Sequence, residues 1–118
     1  ILPNFSHIPQ YYQALDCYLV ASREEGGPKA VLEAQAAGVP LITTRVGLVA
    51  DVVTDMEDGI VINIGDVDAM KSAILRFAED LELTNKLIEN GLKNAQKYAW
   101  EEIASAYYDQ VYAPLLTT

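Results

Sequence analysis

Three short apolar runs, at 17–21, 41–44 and 60–64, punctuate the first half of the chain with almost no polar alternation. A strand with one face in water alternates apolar and polar residues. Unbroken runs of this length therefore predict strands buried on both faces, as in a parallel sheet. Helical signals occupy 8–15, 28–37 and a short stretch around 49–54, so strand and helix alternate. Gly38, followed by Val39 and Pro40, predicts the end of the second helix, and Asp58-Gly59 predicts a turn ahead of the third strand.

From Asp66 onward the pattern is helical only. Met70, Ile74, Leu75, Phe77 and Ala78 mark one stripe, and Leu83, Leu87, Ile88 and Leu92 a second. Trp100, Ile103, Ala104, Tyr107, Val111 and Leu115 give a third, at spacings of three and four. Helical spacing favours packing of this last stripe against the domain, with part of it left exposed in an isolated piece. Three or four parallel strands followed by helices make half of a doubly wound fold, whose sheets usually contain about five or six strands. No internal repeat, low-complexity stretch or linker interrupts the chain.

Composition narrows the picture. At 118 residues, 51% hydrophobic and 21% charged, the chain is one ordered domain. Seventeen acidic against eight basic residues leave a net charge of -9, the wrong sign for a nucleic acid or an anionic membrane surface. Cys17 is the only cysteine and His7 the only histidine, so the chain has no internal disulfide and no zinc site built from these residue types. A reducing, cytoplasmic setting is expected. No apolar run approaches the ~20 residues of a membrane span, and no signal-peptide pattern opens the chain. It starts at Ile1 without a methionine, so a piece of something longer is expected.

The most informative stretch is 22–34, Ser-Arg-Glu-Glu-Gly-Gly-Pro-Lys-Ala-Val-Leu-Glu-Ala, which joins the end of a buried strand to the start of a helix. In open α/β sheets ligands bind outside the carboxyl ends of the strands, where the next helix presents free N–H groups. Pro28 suits the first helical position, while Gly26 and Gly27 let the backbone approach a ligand. Lys29 falls in the first helical turn, an unfavourable place for a cation unless an anion binds there. Otherwise it extends into solvent or pairs with Glu33 one turn later. Glu25 and Glu33 put two carboxylates, good acceptors for sugar hydroxyls, at one crevice mouth.

These residues resemble the retaining GT-B glycosyltransferases of group 1, or family four. Glu25 through Glu33 reproduce the family's E-x7-E pattern, and the resemblance extends over 11–22, 33–42, Asp58-Gly59-Ile60-Val61 and Tyr98-Ala99-Trp100. It implies an α/β fold with a Rossmann-like parallel sheet, the second half of a GT-B C-terminal domain, followed by C-terminal helices. Residues 1–118 would then form a single, partial domain that binds a nucleotide-sugar donor. The resemblance assigns Glu25 the catalytic position, holding the donor sugar with the amides that follow it. Glu33 takes the ribose hydroxyls, and Gly26, Gly27, Lys29, Ala30 and Val31 complete the nucleotide-sugar site, with amides around Lys29 to Val31 on the diphosphate. It also implies transfer to an acceptor with retention at the anomeric carbon, and no metal or other cofactor. A basic pair stabilises the leaving diphosphate instead. That pair, and the amino-terminal domain carrying the acceptor site, lie upstream of this chain, so the piece alone is expected to have no turnover. Two departures stand out: Gly27-Pro28 where many members have an aromatic residue and a glycine, and Gly47-Leu48-Val49-Ala50-Asp51 in place of Gly-Gly-x-Pro-Glu.

Rival readings exist for several features. A noncatalytic protein-interaction module would keep the half-sheet and use its aromatic carboxyl-terminal helices to bind a partner. Hydrolysis by the Glu25/Glu33 pair needs carboxyl groups ~5 to 9.5 Å apart across a sugar. Asp66-Val67-Asp68 matches a D-x-D metal motif, yet Asp66 as a helix cap and Asp68 in the first turn account for both. His7 is expected in a surface or packing role, and Cys17 as a small buried hydrophobe.

Overall fold

The computed structural model describes residues 4–27 and 29–117. A short 3-10 turn, Phe5–His7, leads into α1 (Ile8–Gln13), and β1 (Tyr18–Val20) follows. Next come α2 (Lys29–Ala36), β2 (Leu41–Thr44), α3 (Val49–Val52) and β3 (Ile60–Ile62). The chain then turns wholly helical with α4 (Val67–Glu79), α5 (Leu81–Gln96) and α6 (Trp100–Tyr107). A π-helical turn, Tyr108–Tyr112, joins α6 to α7 (Ala113–Leu116).

The strands form one parallel sheet in the order β1-β2-β3. Successive strand residues point to opposite faces, and both faces are covered. Leu41 packs with Val31 of α2, Val49 of α3 and Val20, Val46, Val53 and Val61. Its neighbour Ile42 packs on the other side with Ile60, Ile62, Ala73 and Phe77 of α4 and Leu87 of α5. That double burial is why these runs lack polar alternation. The strands are shorter than their apolar runs: Cys17 and Ala21 lie just outside β1, and Ile64 beyond β3 is exposed.

Local signals are realised at most boundaries. Gly38 adopts φ +72°, and the amides of Gly38 and Val39 bond back to Gln35 and Ala34 to close α2. Asp66 caps α4 by accepting from the Ala69 amide at 2.9 Å, as expected, and Asp68 lies in the first turn. Pro28, expected at the first position of α2, lies outside the described residues.

The turn expected at Asp58-Gly59 is present: residues 56–58 turn ahead of β3 with the positive φ, 62°, at Met56, and both Asp58 and Gly59 are buried. A Cβ on Gly59 would stand 3.1 Å from Val53 and 3.4 Å from Leu41, so a side chain there would need Val53 to give way by a few tenths of an ångström. Two expectations need correction. On α4, Ala73 and Phe77 are buried while Ile74 and Leu75 are exposed, so the covered face is narrower than the apolar spacing predicts. The third stripe does not pack against the domain: α6, the π turn and α7 contain no buried residue.

A polar network fastens α2 to α5. Gln35 donates to the Asp58 carbonyl at 2.9 Å and accepts from Asn94 at 2.9 Å, and Asn94 also donates to the Val52 carbonyl at 2.6 Å. No buried side-chain polar atom among the described residues lacks a partner, so the network is fully satisfied.

Candidate functional site

The loop after β1 carries the chain from the carboxyl edge of the sheet to α2. Its path is tied down at two points. The Thr44 hydroxyl at the end of β2 donates to the Ser22 carbonyl at 2.6 Å, joining the ends of two strands. Gly47, at φ +51°, lies against the loop so closely that a Cβ there would collide with the Glu25 carbonyl oxygen. Only glycine combines that φ with that approach. In the sequence Gly47 is only the first residue of the 47–51 stretch, in which Leu48 and Asp51 are the departures; its packing against Glu25 depends on a fold that brings positions 25 and 47 together.

Glu25, Gly27, Lys29, Ala30 and Glu33 line one open groove of about 730 Å³ between the loop, α2 and α1. The structure thus brings five of the seven expected site residues to a common surface. Gly26 is exposed beside Gly47 and is not part of the lining. The Val31 side chain is 2% exposed in the core, so Val31 can contribute only its backbone amide. The amides of the first turn of α2 have no partner within the helix and carry the positive end of its dipole. An anion in this groove would find both.

The opposite wall comes from α1, with Ile8, Pro9, Tyr12 and Gln13. Tyr12 donates its hydroxyl to Glu33 Oε2 at 3.0 Å, and its ring lies 5.3 Å from that of Tyr18, tilted by 34°. Burial first, and then the side chains of Tyr18 and Glu33, raise the ionisation of this phenol well above its ordinary value. It remains a proton donor throughout the working pH range. Glu33 Oε1 faces Lys29 Nζ at 3.8 Å, a long contact to a lysine that is itself 90% exposed. Such a pair holds neither partner firmly. Tyr12 is the site residue that sequence reasoning missed; its one signal was a place in the stretch similar to the family's.

The decoys resolve simply. Cys17 is half-buried beside the α4/α5 cluster, and burial, with Asp16 adding, pushes its thiol up to about 11. It is mostly protonated near neutrality and a poor nucleophile. His7 is exposed ahead of α1 and makes no capping hydrogen bond with its side chain. Among the described residues, no three His, Cys, Asp or Glu side chains cluster as metal ligands, and no helix is long and apolar enough to cross a membrane.

With this geometry established, known proteins offer a comparison. The family model described as glycosyl transferases group 1 matches residues 2–94. The chain is 36% identical over 104 residues to the lipopolysaccharide core biosynthesis mannosyltransferase LpsB of Rhizobium meliloti, covering 86% of this chain and 30% of that protein. Sucrose-phosphate synthase from Thermosynechococcus elongatus superposes with a TM-score of 0.78 at 31% identity, over 91% of this chain and 27% of that one. Anabaena HepE, solved in complex with UDP and glucose, superposes with a TM-score of 0.77 at 20% identity, over 94% and 30% of the two chains. That last likeness concerns the fold alone. The fold is Rossmann-like, the second half of a GT-B C-terminal domain followed by helices. The chain spans about 30% of the length of LpsB.

Proposed function

The chain belongs to the group 1 glycosyl transferases, and we propose that it is the part of a donor-binding domain that holds a nucleoside-diphosphate sugar. The observation that carries this reading is the shared groove, where Glu25, Lys29 and Glu33 meet the first turn of α2. Glu33 takes the ribose hydroxyls. The diphosphate lies on the amides of Lys29 to Val31, with the Lys29 ammonium reaching it once Glu33 is occupied by the ribose. Glu25 faces the donor sugar and, as the catalytic carboxylate, supports the positive charge that develops at the anomeric carbon as its bond to the diphosphate oxygen breaks. The electron pair leaves with the diphosphate, which the helix end stabilises. A UDP-sugar is the first donor to try, since HepE was solved with UDP and with UDP-glucose.

Transfer with retention, independence from metal and a cytoplasmic location complete the proposal. The acceptor would bind an amino-terminal domain of the longer protein, in keeping with the 30% of LpsB that the chain spans. The chain alone would then bind donor without transferring it. Glu33→Ala in the intact protein is expected to raise the apparent Kd for the nucleotide by about tenfold or more, the loss of hydrogen bonds to a charged group. Unchanged affinity in a folded variant would overturn the reading.

A second reading, a noncatalytic interaction module, draws on α6 and α7, where Trp100 is 84% exposed and Tyr107 58%. Sedimentation of the chain separates the two, since self-association or partner binding without nucleotide binding would favour the module.

A further inference from the structure

Glu33 sits on the outer side of a helix, half-exposed, with a flexible side chain. A carboxylate in that position samples several rotamers, and a ligand that needs one of them must pay the ordering cost on binding. Among the described residues, the Tyr12 hydroxyl at 3.0 Å is the only short polar contact to the Glu33 side chain. Tyr12 is itself held. Its ring packs against Tyr18 at the start of β1, whose amide bonds to the Pro40 carbonyl at 2.9 Å, so the donor is anchored to the sheet. The two residues are 21 positions apart in sequence and line the same groove.

We propose that Tyr12 is a positioning residue for donor recognition: by donating to Glu33 Oε2 it fixes the carboxylate in the rotamer that takes the ribose hydroxyls. The inference rests on the donor-binding reading and deepens it. A carboxylate offers about four acceptor directions, so one phenolic donor leaves room for a ribose hydroxyl on the same group. Lys29 is the counterpart that moves. Its ammonium is nearly free in solvent and shifts to the diphosphate, whereas Tyr12 stays on Glu33 in both the empty and the occupied groove. Burial keeps the phenol protonated at working pH, so it stays the donor of this pair.

Tyr12→Phe keeps the ring against Tyr18 and removes the hydroxyl, with its interactions with both Glu33 and Tyr18. The test is isothermal titration of the intact protein, as wild type, Y12F, E33A and the double variant, with UDP, GDP and ADP and with their 2′-deoxy and 3′-deoxy counterparts. Thermal melts confirm folding. For the nucleotide that binds, Y12F is expected to weaken affinity by about tenfold, in the range of one hydrogen bond to a charged group. It should have no further effect in the E33A background and little effect on a deoxy counterpart lacking the hydroxyl that Glu33 takes. In turnover, the loss should fall on the donor KM with kcat nearly unchanged. Wild-type affinity in Y12F, together with weakened binding in E33A, would overturn the role of Tyr12 and leave the donor site standing. Equal losses from Y12F with and without Glu33 would also overturn it, because Tyr12 would then act on something else. Unchanged binding in E33A, or no nucleotide bound by folded wild type, would overturn the donor reading and this inference with it.

Discussion

Helices α5 and α6 carry apolar residues at the same three-and-four spacing, yet they meet opposite fates. Along α5, Leu87 is 1% exposed within the cluster that also contains Phe77 and Ile62, and Asn94 joins the network to Gln35. Along α6 no residue is buried; its Tyr107 ring instead meets that of Tyr112 in the following π turn, 5.9 Å apart. A stripe at helical spacing therefore predicts a helix and identifies its apolar face. Whether anything covers that face depends on what lies across from it.

The comparison can be broken most severely on the buried side. Leu87→Ala is expected to cost about 2–5 kcal/mol, a transfer term plus a cavity that the sheet cannot collapse to fill. Urea denaturation followed by circular dichroism would measure it, and a loss below 1 kcal/mol would mean that α5 is no more firmly docked than α6.

A smaller effect tests the polar part of the same interface. Asp58 is buried where its carbonyl accepts from Gln35, and its carboxylate accepts from the Thr54 amide at 2.9 Å. Burial raises its pKa above the ordinary 3.8, outweighing the hydrogen bond from Thr54. A carboxyl raised in the folded state binds its proton earlier on acidification than it does unfolded, so its charge costs stability above the folded pKa. That cost is lost as pH falls through the folded value toward 3.8. Wild type should accordingly gain on Asp58→Asn as pH drops from 7 through this window, measured as the difference in urea midpoints. A flat difference would show that the carboxylate is solvated, and one of the opposite sign that its hydrogen bonds outweigh burial.

The smallest effect belongs to the exposed side. Trp100→Ala should change stability by no more than about 0.5 kcal/mol, despite removing the largest side chain in the molecule. A loss comparable to that of Leu87→Ala would show that α6 has found a covering surface in solution, in this chain or a second copy.

Much of the candidate site is legible in the sequence. Glu25, Gly27, Lys29, Ala30 and Glu33 lie within one continuous stretch between a strand and a helix, so their proximity needs only local structure. The contacts that organise them were not legible, since each joins distant positions. Tyr12 reaches Glu33 only because α1 and α2 face one another across the groove, and Gly47 meets the Glu25 carbonyl only because β2 runs parallel to β1.

By itself the sequence determined the order of strands and helices, the double burial of the sheet, the cap at Asp66 and the stop at Gly38. These follow from side-chain periodicity and turn chemistry acting over a few residues. Tertiary structure alone decided which apolar stripe is covered, why Asp58-Gly59 is buried, and which side chain holds Glu33. Those outcomes depend on packing between segments tens of residues apart, and local pattern carries no record of that.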